Sequence, residues 1–525
     1  MRGSALCEKK RKYRPLNPAK EKIAPFIFPL AFIAVTVIHF YYLSAVPLSG
    51  DEAYHWEWSR HPALSYYDHP PMTAWLIALC TRLFGTSLSS VRLPALFSMT
   101  ISFIFLYFLI RDMFEDKGVA ALAGVLALVL PIYTLGSILI TTDPPLALFY
   151  SLYMYSFYQA ACRERKPYWY LSGAAFGAAM LCKFIAYLII PAAFLFLIFS
   201  KNRRHWLKRK EPYLAFVIGV IVFSPVVYWN MFHGWSTFLF NFAARHSEAR
   251  FGLGHLGEFF LGQMIAASPV IFLLGIAAAV WAGHRGFFKR DENLLFLFMF
   301  SALSLGFFGF IGLFERVSLH WTALAYYTLI AIIAALNYHA GRFKKAVNII
   351  TAVGIALALL MDAGIHLVAL RPDILTYDYT YSKWKGGRIS TNKLKDFYGW
   401  EEMGKRVRAE YETLKKLGPA FIATPTYTMS GLVAFYTPER PVVRWMGLGY
   451  EGVNGLNYKY WDDFPLLKGQ NALFVASVLA DDRKARLYTA FERVEEDALP
   501  IFHKGELVRT FLIFRCYNFS GVNPA

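Results

Sequence analysis

Charge is what this sequence has least of. Only 17% of its 525 residues are Asp, Glu, Lys or Arg while 56% are hydrophobic, whereas soluble domains carry roughly 25% charged residues. A single soluble globule does not fit that balance. Mean hydropathy of +0.37 with 18% aromatic residues also excludes disordered, collagen-like and coiled-coil classes. Cysteine is scarce: Cys7, Cys80, Cys162, Cys182 and Cys516 are scattered, odd in number and without CxxC spacing, so neither a disulfide framework nor a zinc knuckle is expected. Negative charge is the scarcer sign, 36 acidic against 54 basic residues, a net +18. In so apolar a chain that excess belongs to cytoplasmic loops under the positive-inside rule, not to nucleic-acid binding.

What is abundant is long apolar runs. Residues 1–22 form a basic segment expected in the cytoplasm, followed by an apolar run from Ile23 to Leu48. That run is too long for a signal-peptide core and Pro47-Leu48-Ser49-Gly50 lacks a cleavage pattern, so it reads as an uncleaved first span. Spans are expected at Val91–Ile110, Val119–Ile140, Leu146–Ala161, Tyr213–Phe232, Phe259–Trp281, Leu294–Leu313, Trp321–Leu336 and Val347–Leu370. The basic clusters Arg163–Lys166, Lys201–Lys210, His284–Arg290 and Arg342–Lys345 belong on the cytoplasmic side. Pro167–Ser200 lies between two of them and must cross an even number of times. With about 17 residues per minimal span it holds two short helices turning near Lys183. One long helix kinked at Pro191, with Lys183 snorkelling, is the alternative.

The expected fold class is therefore an α-helical polytopic membrane protein with about eleven transmembrane helices. Residues 23–370 form the membrane domain, and residues 371–525 an extracytoplasmic α/β domain, periplasmic in a Gram-negative cell. In that tail we expect helices at Glu401–Leu417 and Thr428–Phe435. Strands are expected at Phe421–Thr424, Val442–Trp445, Leu473–Val478 and near Val508–Cys516. Its expected role is structural or acceptor-contacting.

Under this topology the polar residues collect at the outer ends of the spans. The first outer loop carries Gly50-Asp51-Glu52-Ala53-Tyr54-His55-Trp56 and Tyr66-Tyr67-Asp68-His69-Pro70-Pro71; the second carries Thr141-Thr142-Asp143-Pro144-Pro145. Lys183, Trp229–Trp235, Arg245-His246, Arg316 and His320-Trp321 join them. Each piece alone has a plainer reading: Asp51-Glu52 as the acidic first turn of a helix running to Arg60, Asp143-Pro-Pro as a helix start, the tryptophans as an interfacial belt. Convergence on one membrane face makes them functional candidates. His39 and the Asp362–His366 pair fall inside spans and receive no role.

The runs GDEAYHWEWSRHPALSYYDHPPMTAWLI, TTDPPLALFY, GAAFGAAMLCKFIAYLIIP and FSPVVYWNMFHGW resemble the bacterial family 39 glycosyltransferases of the GT-C superfamily, relatives of protein O-mannosyltransferases and of the lipid A aminoarabinose transferase. The resemblance covers residues 23 to 340. It implies an inner-membrane enzyme moving a sugar from a polyprenyl-phosphate donor to an acceptor, either lipid A, another glycolipid or a protein, on the outer face. It also implies a juxtamembrane helix at Tyr66–Leu76.

Carried over by position, Asp51 matches the first-loop catalytic acid with Glu52 beside it, and Asp143 the second-loop aspartate. Lys183, Arg245 and His69 fall at the donor phosphate, His69 standing where relatives acting on lipid A have a basic residue. Asp68 matches the acidic residue of the second half of the first loop. No nucleotide or other cofactor is required, because a lipid-phosphate sugar is already activated. Lys183 and Arg245 suit phosphate neutralisation, and Asp51 suits general-base work on a hydroxyl acceptor. Clustered carboxylates allow a modulatory divalent cation, Mg, Mn or Zn, touching Asp68 and His246, but no tightly held structural metal. A transporter or flippase of a lipid-linked sugar is the alternative function; mostly outer-face charge and no visible repeat weigh against it. A membrane metallohydrolase lacks its HExxH motif.

Overall fold

The computed structural model describes residues 18–243, 250–375, 380–384, 387–390, 398–449 and 455–521. The chain is mostly helical, with a small sheet near its end. Its helices run α1 (Pro18–Ala45), α2 (Gly50–Arg60), α3 (Met72–Phe84), α4 (Leu88–Phe114), α5 (Lys117–Leu128), α6 (Pro131–Ile138), α7 (Asp143–Ala161) and α8 (Pro167–Met180). A 3₁₀ turn, Phe184–Leu188, leads into α9 (Ile189–Phe199), α10 (Glu211–Phe232), α11 (Ser236–Phe242), α12 (Leu253–Ala267), α13 (Pro269–Phe288), α14 (Glu292–Ile311), α15 (Ala323–His339) and α16 (Lys344–Leu370). Among the described residues seven helices are long and apolar enough to cross a membrane, or eight if the bent pair α5–α6 counts as one span. The chain is a multi-pass membrane protein.

Breaks in the apolar runs have local causes. The run expected at Val119–Ile140 bends by 66° between α5 and α6, where Pro131 opens α6 and cannot donate back into the preceding turn. The run expected as one span from Phe259 is split into α12 and α13. Ser268, at φ 72°, and Pro269 at the first position of α13 separate them. The helix implied at Tyr66–Leu76 starts only at Met72, because Pro70 and Pro71 interrupt it. Residues 61–71 instead form a bent loop, closed by the Tyr66 amide donating to the His69 carbonyl at 3.0 Å.

The stretch 167–200 leaves one end of the bundle and returns to it. Arg203, beyond α9, pairs with Glu164, before α8, at 3.1 Å and with Glu292 at 3.0 Å. The Trp206 indole donates to the Ala161 carbonyl at 3.1 Å. The two basic clusters therefore share one end, and Lys183 stands at the turn on the other. The descending arm packs closely on α10: a Cβ on Gly173 would lie 2.1 Å from the Ala215 carbonyl oxygen, and one on Gly177 2.5 Å from that of Gly219. Such stripes of small residues let helix backbones meet where apolar packing supplies no bias of its own.

Near the end of the chain, β1 (Thr380–Trp384) and β2 (Gly387–Ser390) form a small antiparallel ribbon. An α/β unit follows, built from α17 (Trp400–Leu417), β3 (Ala420–Thr424), α18 (Tyr427–Tyr436), β4 (Val443–Trp445), β5 (Asn471–Ala476), α19 (Asp481–Ala490), β6 (Phe491–His503) and β7 (Glu506–Phe519). The sheet order is β4-β3-β5-β7-β6, with β3 parallel to β4 and β5, and β7 antiparallel to β5 and β6. Alternation along the strands divides its core. Ile422, Leu473, Val475, Phe511 and Ile513 meet α17 and α18, while Phe421, Phe474 and Phe514 meet Leu487 of α19. The first of these cores continues into Leu48, Ala53 and Trp56, so the unit is fused to the bundle through α2.

Candidate active site

Helix α2 opens with a capping box. Ser49 Oγ accepts the Glu52 amide at 3.3 Å while Glu52 Oε2 accepts the Ser49 amide at 2.9 Å. Glu52 does more than cap. Arg92 of α4, fully buried, donates to Glu52 Oε1 at 2.7 Å and Oε2 at 2.8 Å. Its remaining donors reach the carbonyls of Leu43 at 3.2 Å, Val46 at 2.5 Å and Pro47 at 2.7 Å. The Ile140 amide adds a bond to Glu52 Oε1 at 3.1 Å. Glu52 thus ties the start of α2 to α4, to the end of α1 and to the loop before α7, and its oxygens are saturated. A buried ion pair satisfied this completely holds geometry.

Asp51, the preceding residue, is exposed and accepts a hydrogen bond from the Tyr427 hydroxyl at 3.1 Å. One turn along α2, burial draws the His55 imidazole below its ordinary pKa against the charges of Asp51, Glu52 and Asp143. Asp143 opens α7, with Pro144 and Pro145 in the first turn. Lys183 Nζ donates to both of its oxygens, at 2.8 and 3.0 Å, and His320 Nε2 lies 3.8 Å away.

Lys183 also lines a cavity of about 180 Å³, with His69, Asn241 and Tyr187 among its other polar residues and Phe184, Phe242 and Trp321 among its aromatic ones. His69 reaches it because the Met72 amide donates to the Leu181 carbonyl at 3.0 Å, stapling α3 to the Lys183 turn. Two larger grooves, about 410 Å³ beside α1, α6 and α16 and about 280 Å³ between α8, α9 and α10, have no charged residue in their lining. Asp68 is buried and accepts the Tyr54 hydroxyl at 3.1 Å. Arg245 and His246 lie outside the described residues.

The structure so gathers Asp51, Asp143 and Lys183 around one end of the bundle and places His69 with Lys183. Asp51, Asp68 and Asp143 do not crowd together as bare carboxylates, for each has its own donor: Tyr427, Tyr54 or Lys183. Sequence reasoning did not single out His55, Arg92 or Tyr427. His55 carried a signal, standing four residues from Asp51 on one helix face. Tyr427 carried none, since its partner lies 376 residues away.

The family model for dolichyl-phosphate-mannose-protein mannosyltransferases matches residues 68–229. The solved structure of ArnT from Cupriavidus metallidurans bound to undecaprenyl phosphate superposes over 93% of this chain and 97% of that one, at TM-score 0.59 and 17% identity. Over nearly its whole length the chain therefore has the fold of that solved structure. Among curated proteins, the chain is 26% identical over 252 residues to the lipid A galacturonosyltransferase RgtD of Rhizobium johnstonii, covering 46% of this chain and 50% of that protein. It is also 26% identical over 345 residues to the undecaprenyl phosphate-alpha-4-amino-4-deoxy-L-arabinose arabinosyl transferase of Erwinia tasmaniensis, covering 61% and 58%. In these alignments the chain spans 50% and 58% of the length of the two curated relatives.

Proposed function

We propose that this protein is a glycosyltransferase that moves a sugar from a polyprenyl-phosphate donor to a glycolipid acceptor of the lipid A kind, at the extracytoplasmic face of the inner membrane. The observation that carries the reading is Lys183. An ammonium group, held by Asp143 at the wall of an aromatic cavity on the polar end of the bundle, suits an amphiphile with a phosphate head. The names of the curated relatives support the donor and acceptor classes. The orientation that goes with this reading puts the basic loops in the cytoplasm, gives eleven crossings when α7, α8 and α9 are counted as short spans, and leaves the α/β unit outside.

In the reaction the bond from the sugar's anomeric carbon to the phosphate oxygen breaks, and one to the acceptor oxygen forms. The phosphate departs with the electron pair, and Lys183 and Arg245 take up its charge, with His69 as a third contact. Asp143 keeps Lys183 extended toward the cavity. With a hydroxyl acceptor the proton goes to Asp51; a phosphate acceptor needs no base, and Asp51 then orients it. Glu52 acts from behind by holding the first turn of α2.

Among the described residues no three His, Cys, Asp or Glu side chains converge as a metal-ligand set. No step is routed through an ion. A modulatory divalent cation at Asp68 and His246 is tested by chelation: activity is expected to persist in chelator, and a complete loss restored by Mg²⁺, Mn²⁺ or Zn²⁺ would make the ion essential. The function itself is tested with purified protein in lipid, radiolabelled polyprenyl-phosphate sugars and envelope extract. Labelled glycolipid is expected from the wild type and none from Asp51→Asn; turnover by that variant at the wild-type rate would remove Asp51 from the mechanism.

A further inference from the structure

We propose that the C-terminal α/β unit completes the transfer site, with Tyr427 as the residue that positions the Asp51 carboxylate. The inference rests on the glycosyltransferase reading above. Tyr427 is the first residue of α18, whose start is fixed by Thr426 accepting the Met429 amide at 3.3 Å. Its hydroxyl donates to Asp51 Oδ1 at 3.1 Å, and its ring packs edge-on against Tyr54 of α2 at 4.7 Å between centroids. The Tyr54 hydroxyl in turn donates to Asp68 at 3.1 Å and accepts the Asn457 amide at 2.9 Å. The Asn457 side chain then accepts the Tyr67 amide at 2.8 Å. Both halves of the first outer loop, with Asp51 and Asp68, are thus held by groups from one C-terminal unit.

The contact has little slack. A Cβ on Gly50 would lie 2.6 Å from Thr428 Cβ, and one on Gly431 2.8 Å from the Ala53 carbonyl carbon, so α2 and α18 meet backbone to backbone. Burial and the charges of Asp51 and Asp68 push the Tyr427 phenol above its ordinary pKa, so it remains a neutral donor. An exposed carboxylate on a first helical turn can sweep several rotamers; one hydroxyl from a rigid neighbour selects one of them.

The test compares full-length wild type, Tyr427→Phe and Tyr517→Phe in proteoliposomes with radiolabelled polyprenyl-phosphate sugar and acceptor extract. Tyr517 is the control because its hydroxyl donates to Glu495 at 3.1 Å, on the β6–β7 strand pair of the same sheet, and not to Asp51. Tyr427→Phe is expected to lower kcat by about tenfold. Its KM for the donor should change by less than about twofold, since a group acting through Asp51 does not bind the donor. Tyr517→Phe should match the wild type in both. Wild-type kcat in Tyr427→Phe would overturn the inference, as would a loss carried in donor KM alone. Failure of the wild type to transfer any sugar would instead overturn the functional reading on which it rests. Repeating the comparison in an Asp51→Glu background separates positioning from mere packing. If Tyr427 acts through Asp51, its removal there costs much less than tenfold; an undiminished tenfold loss would overturn the assignment.

Discussion

Arg92 has every side-chain nitrogen engaged on Glu52 or on the carbonyls at the end of α1. Removing it leaves a carboxylate buried without its cation. Arg92→Ala should therefore destabilise the protein by about 3–5 kcal/mol, read as a fall in thermal midpoint in detergent. A variant as stable as the wild type would show that the pair contributes nothing to holding α2. Lys183 makes a different prediction. Lys183→Ala removes the cation but leaves Asp143 with His320 at 3.8 Å, so folding should survive. Donor affinity, measured by equilibrium binding of a labelled polyprenyl phosphate, should fall by about tenfold or more. Unchanged affinity would move the phosphate elsewhere.

Helices α2 and α18 depend on glycine where they meet. Gly431 lies so close to the backbone of Ala53 that any side chain must push the helices apart. Gly431→Val is expected to cut transfer by at least about tenfold while the membrane bundle keeps its far-ultraviolet helix signal. Full activity would show that the docking of α18 is dispensable. Gly173, beneath the Ala215 carbonyl, is the corresponding position in the membrane, and there a side chain would separate α8 from α10.

For the whole molecule, the joint between bundle and α/β unit carries two buried carboxyls. Burial pushes Glu57 of α2 up to about 7 against the pull of Arg60, and Asp462 up to about 6 against the Trp445 amide and Arg444. Both values lie above the ordinary 4.5 and 3.8. At these two carboxyls the native state keeps protons that the unfolded chain has lost, so the stability they contribute falls as pH rises from about 4 to about 7. This contribution should make the wild-type thermal midpoint slope downward relative to that of Glu57→Gln between pH 5 and pH 8. An equal slope in the variant would remove Glu57 as its source. The orientation has its own test: cysteine in place of exposed Arg316 should react with an impermeant thiol reagent from outside the cell, and cysteine at Arg209 only after lysis.

Several features were legible from sequence because they depend on near neighbours. The membrane class follows from composition, the return at Lys183 from basic clusters on either side, the starts of α2 and α7 from acidic and proline-rich first turns. Four of the sheet's strands follow from short apolar runs between turns. β6 and α19 escaped because FERVEEDALPIFH is an edge strand rich in charge and α19 is a short polar helix, so neither shows a burial period. The tertiary structure alone decided what each ionisable group does. Glu52 and Asp51 are adjacent in the chain and look alike there, yet one is saturated by an arginine 40 residues on and the other faces solvent beside a tyrosine 376 residues on. Hydrogen bonds and ion pairs act over about 3 Å. Only the packing of α2 against α4 and α18 brings such distant residues within that range.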